Sequence, residues 1–279
     1  MIRRRLVLLV VVLLFALSFA GGQALLRRNR PASAPLLAEG PLALLGGFRS
    51  LVAEIVWFRA DRLQEAGRYS ELAQLASLLT SMEPHTPEVW SYAAWNLAYN
   101  ISVMMPTAAD RWRWVLSGLK LLRDDGIRLN PASPELHCEL SNLFLFKIGG
   151  TADEAAPLYR EEWKKIVREA RAKNDWASLK MDASLMDYLD AEYGRQDWED
   201  PKAHALYWAH LGMTFKPKGG PRLDLRQMIY ETLMLESLED ARFAPRALRA
   251  MKEAALEMER PNRTLIDLIE RYRAKFNLK

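Results

Sequence analysis

The chain has 279 residues, half of them apolar, with 39 Lys and Arg against 35 Asp and Glu and one cysteine. That length is ample for a buried core, and a single thiol excludes both an intramolecular disulfide framework and a cysteine-based zinc cluster. The net charge of +4 comes from residues 1–30, which hold six arginines and no acid; the rest is slightly acidic, which sets nucleic acid aside as a partner.

Arg3, Arg4 and Arg5 precede an apolar run from Leu6 to Leu26, and Arg27, Arg28 and Arg30 stop it. A helix over this run reaches across the hydrocarbon layer, and it has no polar face to present to water. The reading adopted is an uncleaved transmembrane anchor over residues 1–27. Cleavage after Ser18-Phe19-Ala20 as a signal peptide is the alternative. Three arginines on each side nearly cancel in the positive-inside comparison. The N-terminal ammonium adds to the first cluster, so the N-terminus is expected in the cytoplasm, with the inverted orientation left open. This predicts a single-pass protein of the inner membrane with an extracytoplasmic, periplasmic domain. Residues 28–47, with Pro31, Pro35, Pro41 and several glycines, read as an extended spacer.

From residue 48 onward the pattern is helical. Apolar residues recur at three and four, as in Phe48, Leu51, Val52, Ile55 and Leu63, then Leu72, Ala76 and Leu79. Proline and glycine punctuate the chain at intervals suited to packed helices, from Gly67 through Pro84, Pro106, Pro131, Gly149, Gly194 and Pro201 to Pro261. Thr86-Pro87-Glu88, Ser133-Pro134-Glu135 and Thr151-Ala152-Asp153-Glu154 look like capped helix starts, a hydroxyl followed by acid in the first turn. The predicted class is all-α.

A P-x-x-P-E sequence occurs at Pro84–Glu88 and again at Pro131–Glu135, and Gly67 and Tyr69 stand ahead of the first copy. Here the chain resembles the tetratricopeptide repeat, a helix–turn–helix unit with Gly and Tyr at its inner turn and Pro at its end. Ala60, Gly67, Tyr69 and Pro84 match a first unit, Trp90 and Ala94 a second, and Leu140, Ser141 and Phe144 a looser third. The wide interval between Pro84 and Pro131 places an insertion at Asn100–Asp110, around Met104-Met105-Pro106. The resemblance implies an α-solenoid of antiparallel helix pairs over residues 48–170, with residues 171–279 completing or capping it. The segments GGFRSLVAEIVWFRADRLQEAGRY, AWNLAYNIS and AHALYWA also resemble a family of membrane-anchored bacterial helical-repeat proteins, a likeness that says nothing about chemistry.

No catalytic constellation stands out. His85, His137, His204 and His210 lack the spacing of paired metal ligands, so no metal or other cofactor is expected. Glu236-Ser237 resembles the pair that opens the catalytic motif of lytic transglycosylases, but the downstream Gly-Leu-Met-Gln of those enzymes is absent. Gly149-Gly150 and Gly219-Gly220 suit turns better than phosphate cradles.

Nine tryptophans are more than a chain of this size usually carries. In the repeat register Trp57, Asp61, Tyr92, Trp95, Tyr99 and Asn142 fall on the groove side of the first helices. Tyr92, Trp95 and Tyr99 share one stripe. Such a stripe binds an extended peptide or packs in a core, and both readings stand. Arg111, Trp112, Arg113 and Trp114 either project from the insertion toward lipid headgroups or tuck their indoles inward. The expected function is a non-catalytic, membrane-tethered scaffold for a protein or peptide partner in an envelope or export complex. The alternatives are a glycan-acting envelope enzyme and a self-assembling structural protein, the latter a homo-oligomer.

Overall fold

The computed structural model describes residues 55–278, apart from Trp57, Asp61 and Gln64. The expected anchor and spacer therefore lie outside the described residues. Among the described residues all regular structure is helical, and no helix is long and apolar enough to cross a membrane. The chain divides into two compact units, one ending at Glu83 and one running from Pro84 to Lys279.

In the first unit the described residues among 55–65 are helical, and the chain turns at Gly67 into α1 (Tyr69–Met82). Gly67 has φ +67°, a backbone conformation that glycine adopts without strain. Ala60, Leu63, Leu72, Ala76, Leu79 and Met82 are buried, so the three-and-four periodicity marks the inward face there, but Ile55, expected on that face, is exposed.

The second unit is built from helices that fold back on one another. α2 (residues 87–104) begins at Pro87, where a missing N–H costs nothing, and α3 (residues 108–129) returns along it. Gly118 of α3 lies against α2 so closely that a Cβ there would stand 2.7 Å from the Ala94 carbonyl oxygen. Only Met105, Pro106 and Thr107 separate the two helices. The insertion expected at Asn100–Asp110 is therefore not a loop: the wide proline spacing reflects two long helices.

α4 (residues 134–148) opens with Ser133 Oγ accepting the Leu136 N–H, as its sequence predicts. Its antiparallel partner is not the next helix but α7 (Pro201–Thr214): Ser141 Oγ donates to the Ala205 carbonyl at 2.8 Å, and His137 packs on Trp208 and Phe215. Between them, α5 (Ala156–Ala172) and α6 (Ala183–Tyr193) form an excursion laid against the same core. Trp163 of α5 meets Phe144 edge-on at 4.8 Å, and the fully buried Trp163, Tyr159 and Phe144 are among its largest side chains. Each contributes about 2–3 kcal/mol through burial. The start expected at Thr151 falls later, at Ala156, because Asp153 is engaged by Lys147 and Tyr159.

α8 (Gly219–Glu239) packs beside both α4 and α7, and α9 (Ala244–Glu257) returns along it, clamped by Arg222–Glu257 and Arg226–Glu253 ion pairs. α10 (Arg263–Phe276) closes the chain.

α2, α3 and α4 each contain a π-helical turn, at Asn96–Ile101, Leu121–Gly126 and Leu143–Ile148. A π turn accommodates one extra residue and resets the helix face beyond it. In α4 this lets Leu136 and Leu140 before the π turn, and Leu143, Phe144, Leu145 and Ile148 within it, all be buried.

Candidate functional site

The side chains of α2, α4 and α8 that turn away from the returning helices form one face. On α2, Trp95 and Tyr99 stack with ring centroids 5.1 Å apart and planes at 21°. Trp95 is 45% exposed and Tyr99 is half-buried. Lys147 Nζ lies 5.0 Å from the Tyr99 ring centroid, which adds a cation–π contact. Burial, and then the Glu139 charge, push the Tyr99 hydroxyl well above the usual tyrosine range. Tyr99 therefore belongs as much to the core as to the surface, whereas Trp95 presents its indole outward. Tyr92 is half-buried on the same helix, and Trp57 and Asp61 lie outside the described residues.

Asn142 is half-buried on α4, in a stripe with Glu139 and Phe146. Phe146 is 43% exposed and opens onto a groove of about 560 Å³. Met234, Leu235 and Leu238 of α8 form one wall, Leu268 and Tyr272 of α10 the other, with Glu231, Arg271 and Lys275 at the edges. The sequence reading missed this groove, because Leu235 and Leu238 lie beyond the segment matched to the repeat and their exposure depends on how α8 packs on α10.

Carboxylates separate Trp95 from the groove. Burial, and then the Asp224 charge, raise the Glu139 carboxyl, and burial raises Glu231. Their polar partners are neutral where they have them: Glu231 accepts from the Gln227 amide and Glu135 from the Ser133 hydroxyl. Burial and the charges of Glu139, Asp224, Glu135 and Glu231 push the Cys138 thiol up to about 12, so it carries no nucleophilic chemistry at neutral pH.

Arg111 to Trp114 lie within α3 rather than on a projecting loop. Trp112 is buried and stacks on Tyr159 at 5.9 Å. Arg111 pairs with Glu154 at 3.0 Å and donates to the Met105 carbonyl, Arg113 pairs with Asp110 at the surface, and Trp114 is half-buried. The tucked-in arrangement is the one found for Trp112.

Among the histidines, His204 is buried with Nε2 2.9 Å from the Trp198 carbonyl oxygen, and burial lowers it to about 4, so it is neutral. Burial lowers His137 and His210 as well. Among the described residues no group of three His, Cys, Asp or Glu is placed to hold a metal ion.

Glu236 and Ser237 do not form a catalytic pair. Ser237 donates to the Met234 carbonyl and accepts from the Tyr272 hydroxyl at 2.6 Å, so both belong to the packing of α8 on α10. Glu236 points elsewhere, into a separate cleft, and is only 7% exposed. Burial raises its carboxyl to about 8. Compared with protein families, curated proteins and solved structures, the chain matches none of them.

Proposed function

We propose that this chain is a membrane-tethered helical-repeat scaffold of tetratricopeptide type. It binds a protein or peptide partner without chemistry, on the extracytoplasmic side of the bacterial inner membrane. The single observation that carries this reading is the face running from Trp95 past Glu139 to Phe146, Leu235 and Leu238. Its exposed apolar side chains stand on neighbouring helices, with Glu139 and Glu231 among them. An apolar groove edged by Glu231, Arg271 and Lys275 suits a segment that offers bulky apolar side chains flanked by charges of both signs. Residues 1–27 serve as the anchor, which raises the effective concentration of domain and partner at the membrane surface.

The glycan-cleaving alternative needs a second carboxylate free to act beside Glu236. Asp200 and Glu239, whose charges act on Glu236, are both held by Lys202. That arrangement favours the scaffold.

The test is site-specific photocrosslinking of the full-length protein in its native membrane. A benzophenone side chain at Phe146 is compared with one at Leu256, which is 85% exposed on α9. One dominant neighbour captured from position 146 and not from 256 supports the reading. Equal capture from both positions, or none from 146, overturns it.

A further inference from the structure

The groove between α8 and α10 combines an apolar interior with free cations at its rim. Glu231, Met234, Leu235 and Leu238 recur at three and four along α8, and Leu268, Arg271, Tyr272 and Lys275 do so along α10. One stripe of each helix therefore lines the groove. Leu235 and Leu238 leave apolar surface open to it, while the Tyr272 hydroxyl donates to Ser237 Oγ at 2.6 Å and ties the two walls together. Its volume of about 560 Å³ lies within the roughly 300–1,000 Å³ of small-molecule sites.

The protein does not neutralise the cations at this rim. On the other side of α8, Arg222 is paired with Glu257 and Arg226 with Glu253. Arg271 Nε instead donates to a backbone oxygen, that of Asp267 at 3.3 Å, and Lys275 Nζ lies 5.4 Å from the Phe276 ring centroid. Among the described residues neither Arg271 nor Lys275 is held by a carboxylate. The two stand four residues apart on one side of α10, and both are exposed. Glu231, the carboxylate of the lining, accepts from the Gln227 amide, and burial raises its pKa. The lining thus carries two cations against one carboxylate, and its field favours an anion.

The dimensions select the kind of anion. Each stripe covers seven residue steps, from 231 to 238 and from 268 to 275, or about 10 Å of helix. An extended chain advances about 1.2 Å per bond, so an alkyl chain of roughly eight to ten carbons matches the groove.

We propose that the α8–α10 groove binds a free single-chain amphiphile with an anionic head. The acyl chain lies between Leu235 and Leu238 on one wall and Leu268 and Tyr272 on the other. Its carboxylate accepts hydrogen bonds from the Arg271 guanidinium and the Lys275 ammonium. A cationic amphiphile is repelled by this rim, and a neutral one leaves both cations unanswered. The proposal goes beyond the protein partner and does not rest on it, since Trp95 and Glu139 are not part of the groove lining.

The experiment uses the full-length chain in its native membrane and decanoate carrying a photoreactive diazirine at its chain end. Decylammonium and decanol with the same diazirine are the controls, and labelled residues are located by mass spectrometry. Decanoate should label residues 234–238 and 268–272 saturably, at least tenfold more than either control. Competition by unlabelled acids should strengthen about fourfold per methylene and level off near ten carbons. Arg271→Gln combined with Lys275→Gln should lower labelling at least tenfold with little effect on melting, because both side chains are at the surface. Leu238→Asp, which places a charge in the apolar wall, should lower it as far and tests the chain end of the site separately from the rim. Equal labelling by the three head groups, labelling confined to residues outside the groove, or labelling unchanged in both variants overturns the proposal. Displacement by phosphatidylglycerol vesicles but not by unlabelled decanoate assigns the surface to the bilayer and overturns it too. Partner capture from position 146 is scored separately, so failure of the ligand and failure of the partner reading are told apart.

Discussion

Lys147 Nζ lies 2.7 Å from Asp153 Oδ2, and both side chains are almost wholly buried. The Tyr159 hydroxyl donates to the same carboxylate oxygen at 3.0 Å, and the Ala155 N–H to the other. Burial pushes the Asp153 carboxyl up, but the hydrogen bonds from Lys147 and Ala155 outweigh it and hold the carboxyl below its ordinary range. The pair stitches the end of α4 to the start of α5.

Lys147→Met should therefore cost about 3–5 kcal/mol, because it strands a buried carboxylate. Adding Asp153→Leu should recover most of that loss. Urea unfolding at neutral pH checks both. Because the folded carboxyl titrates below its unfolded value, the pair's contribution is present at neutral pH. It is lost as the pH falls below the ordinary carboxylate range.

Trp95→Ala combined with Phe146→Ala removes two exposed aromatic side chains from the proposed partner face. The melting temperature should change little, since surface substitutions usually stay within about 0.5 kcal/mol. Partner capture should fall at least tenfold. A large loss of stability would instead make the pair part of the core. Tyr99→Ala is the contrasting case: it should destabilise, because its ring also supports Lys147.

Glu236→Gln should stabilise the protein, and the gain should grow with pH. Burial sets the folded pKa near 8, above the unfolded value, so the folded state holds the proton more tightly. Stability therefore falls as the pH rises between those two values, by up to a few kcal/mol. Glutamine has no proton to lose. Melting curves of the two proteins should nearly coincide below the ordinary carboxylate range and separate progressively as the pH climbs from there to about 8.

Gly118→Ala should destabilise by about 1–3 kcal/mol, since the new methyl meets the backbone of α2 rather than a side chain able to move. Thermal unfolding checks it. The nearby small residues Ala94 and Ala98 are the reason the two helices approach so closely.

Much of the helical layout was legible because proline writes it into the sequence. Pro87, Pro134 and Pro201 each open a helix, and Leu63, Leu72, Ala76 and Leu79 are buried as their periodicity predicts. The pairing of α4 with α7 was not legible, because Gly149, Gly194 and Pro201 punctuate the excursion just as they would punctuate a regular array. The π turns were hidden for a related reason: one extra residue per turn blurs a 3.6-residue pattern without breaking it. The aromatic stripe was visible, but not which ring faces outward, since Trp95 and Tyr99 differ only in what lies across from them. Glu236 showed itself only as half of a dipeptide. Its burial brings it beside Gln196, from a distant part of the chain.

The Ser141 hydroxyl and the Ala205 carbonyl that it binds are 64 residues apart. During synthesis α4 is therefore complete long before α7 exists to cover it. The side it turns toward α7, with His137 and Ser141, must wait while α5 and α6 are made. The growing chain thus carries an adhesive surface for an extended interval, longer than a string of adjacent hairpins would impose. Closing this pair is the late, non-local step of folding. Slowing elongation between residues 149 and 200 should make the nascent chain more dependent on chaperones than the same delay placed after Thr214.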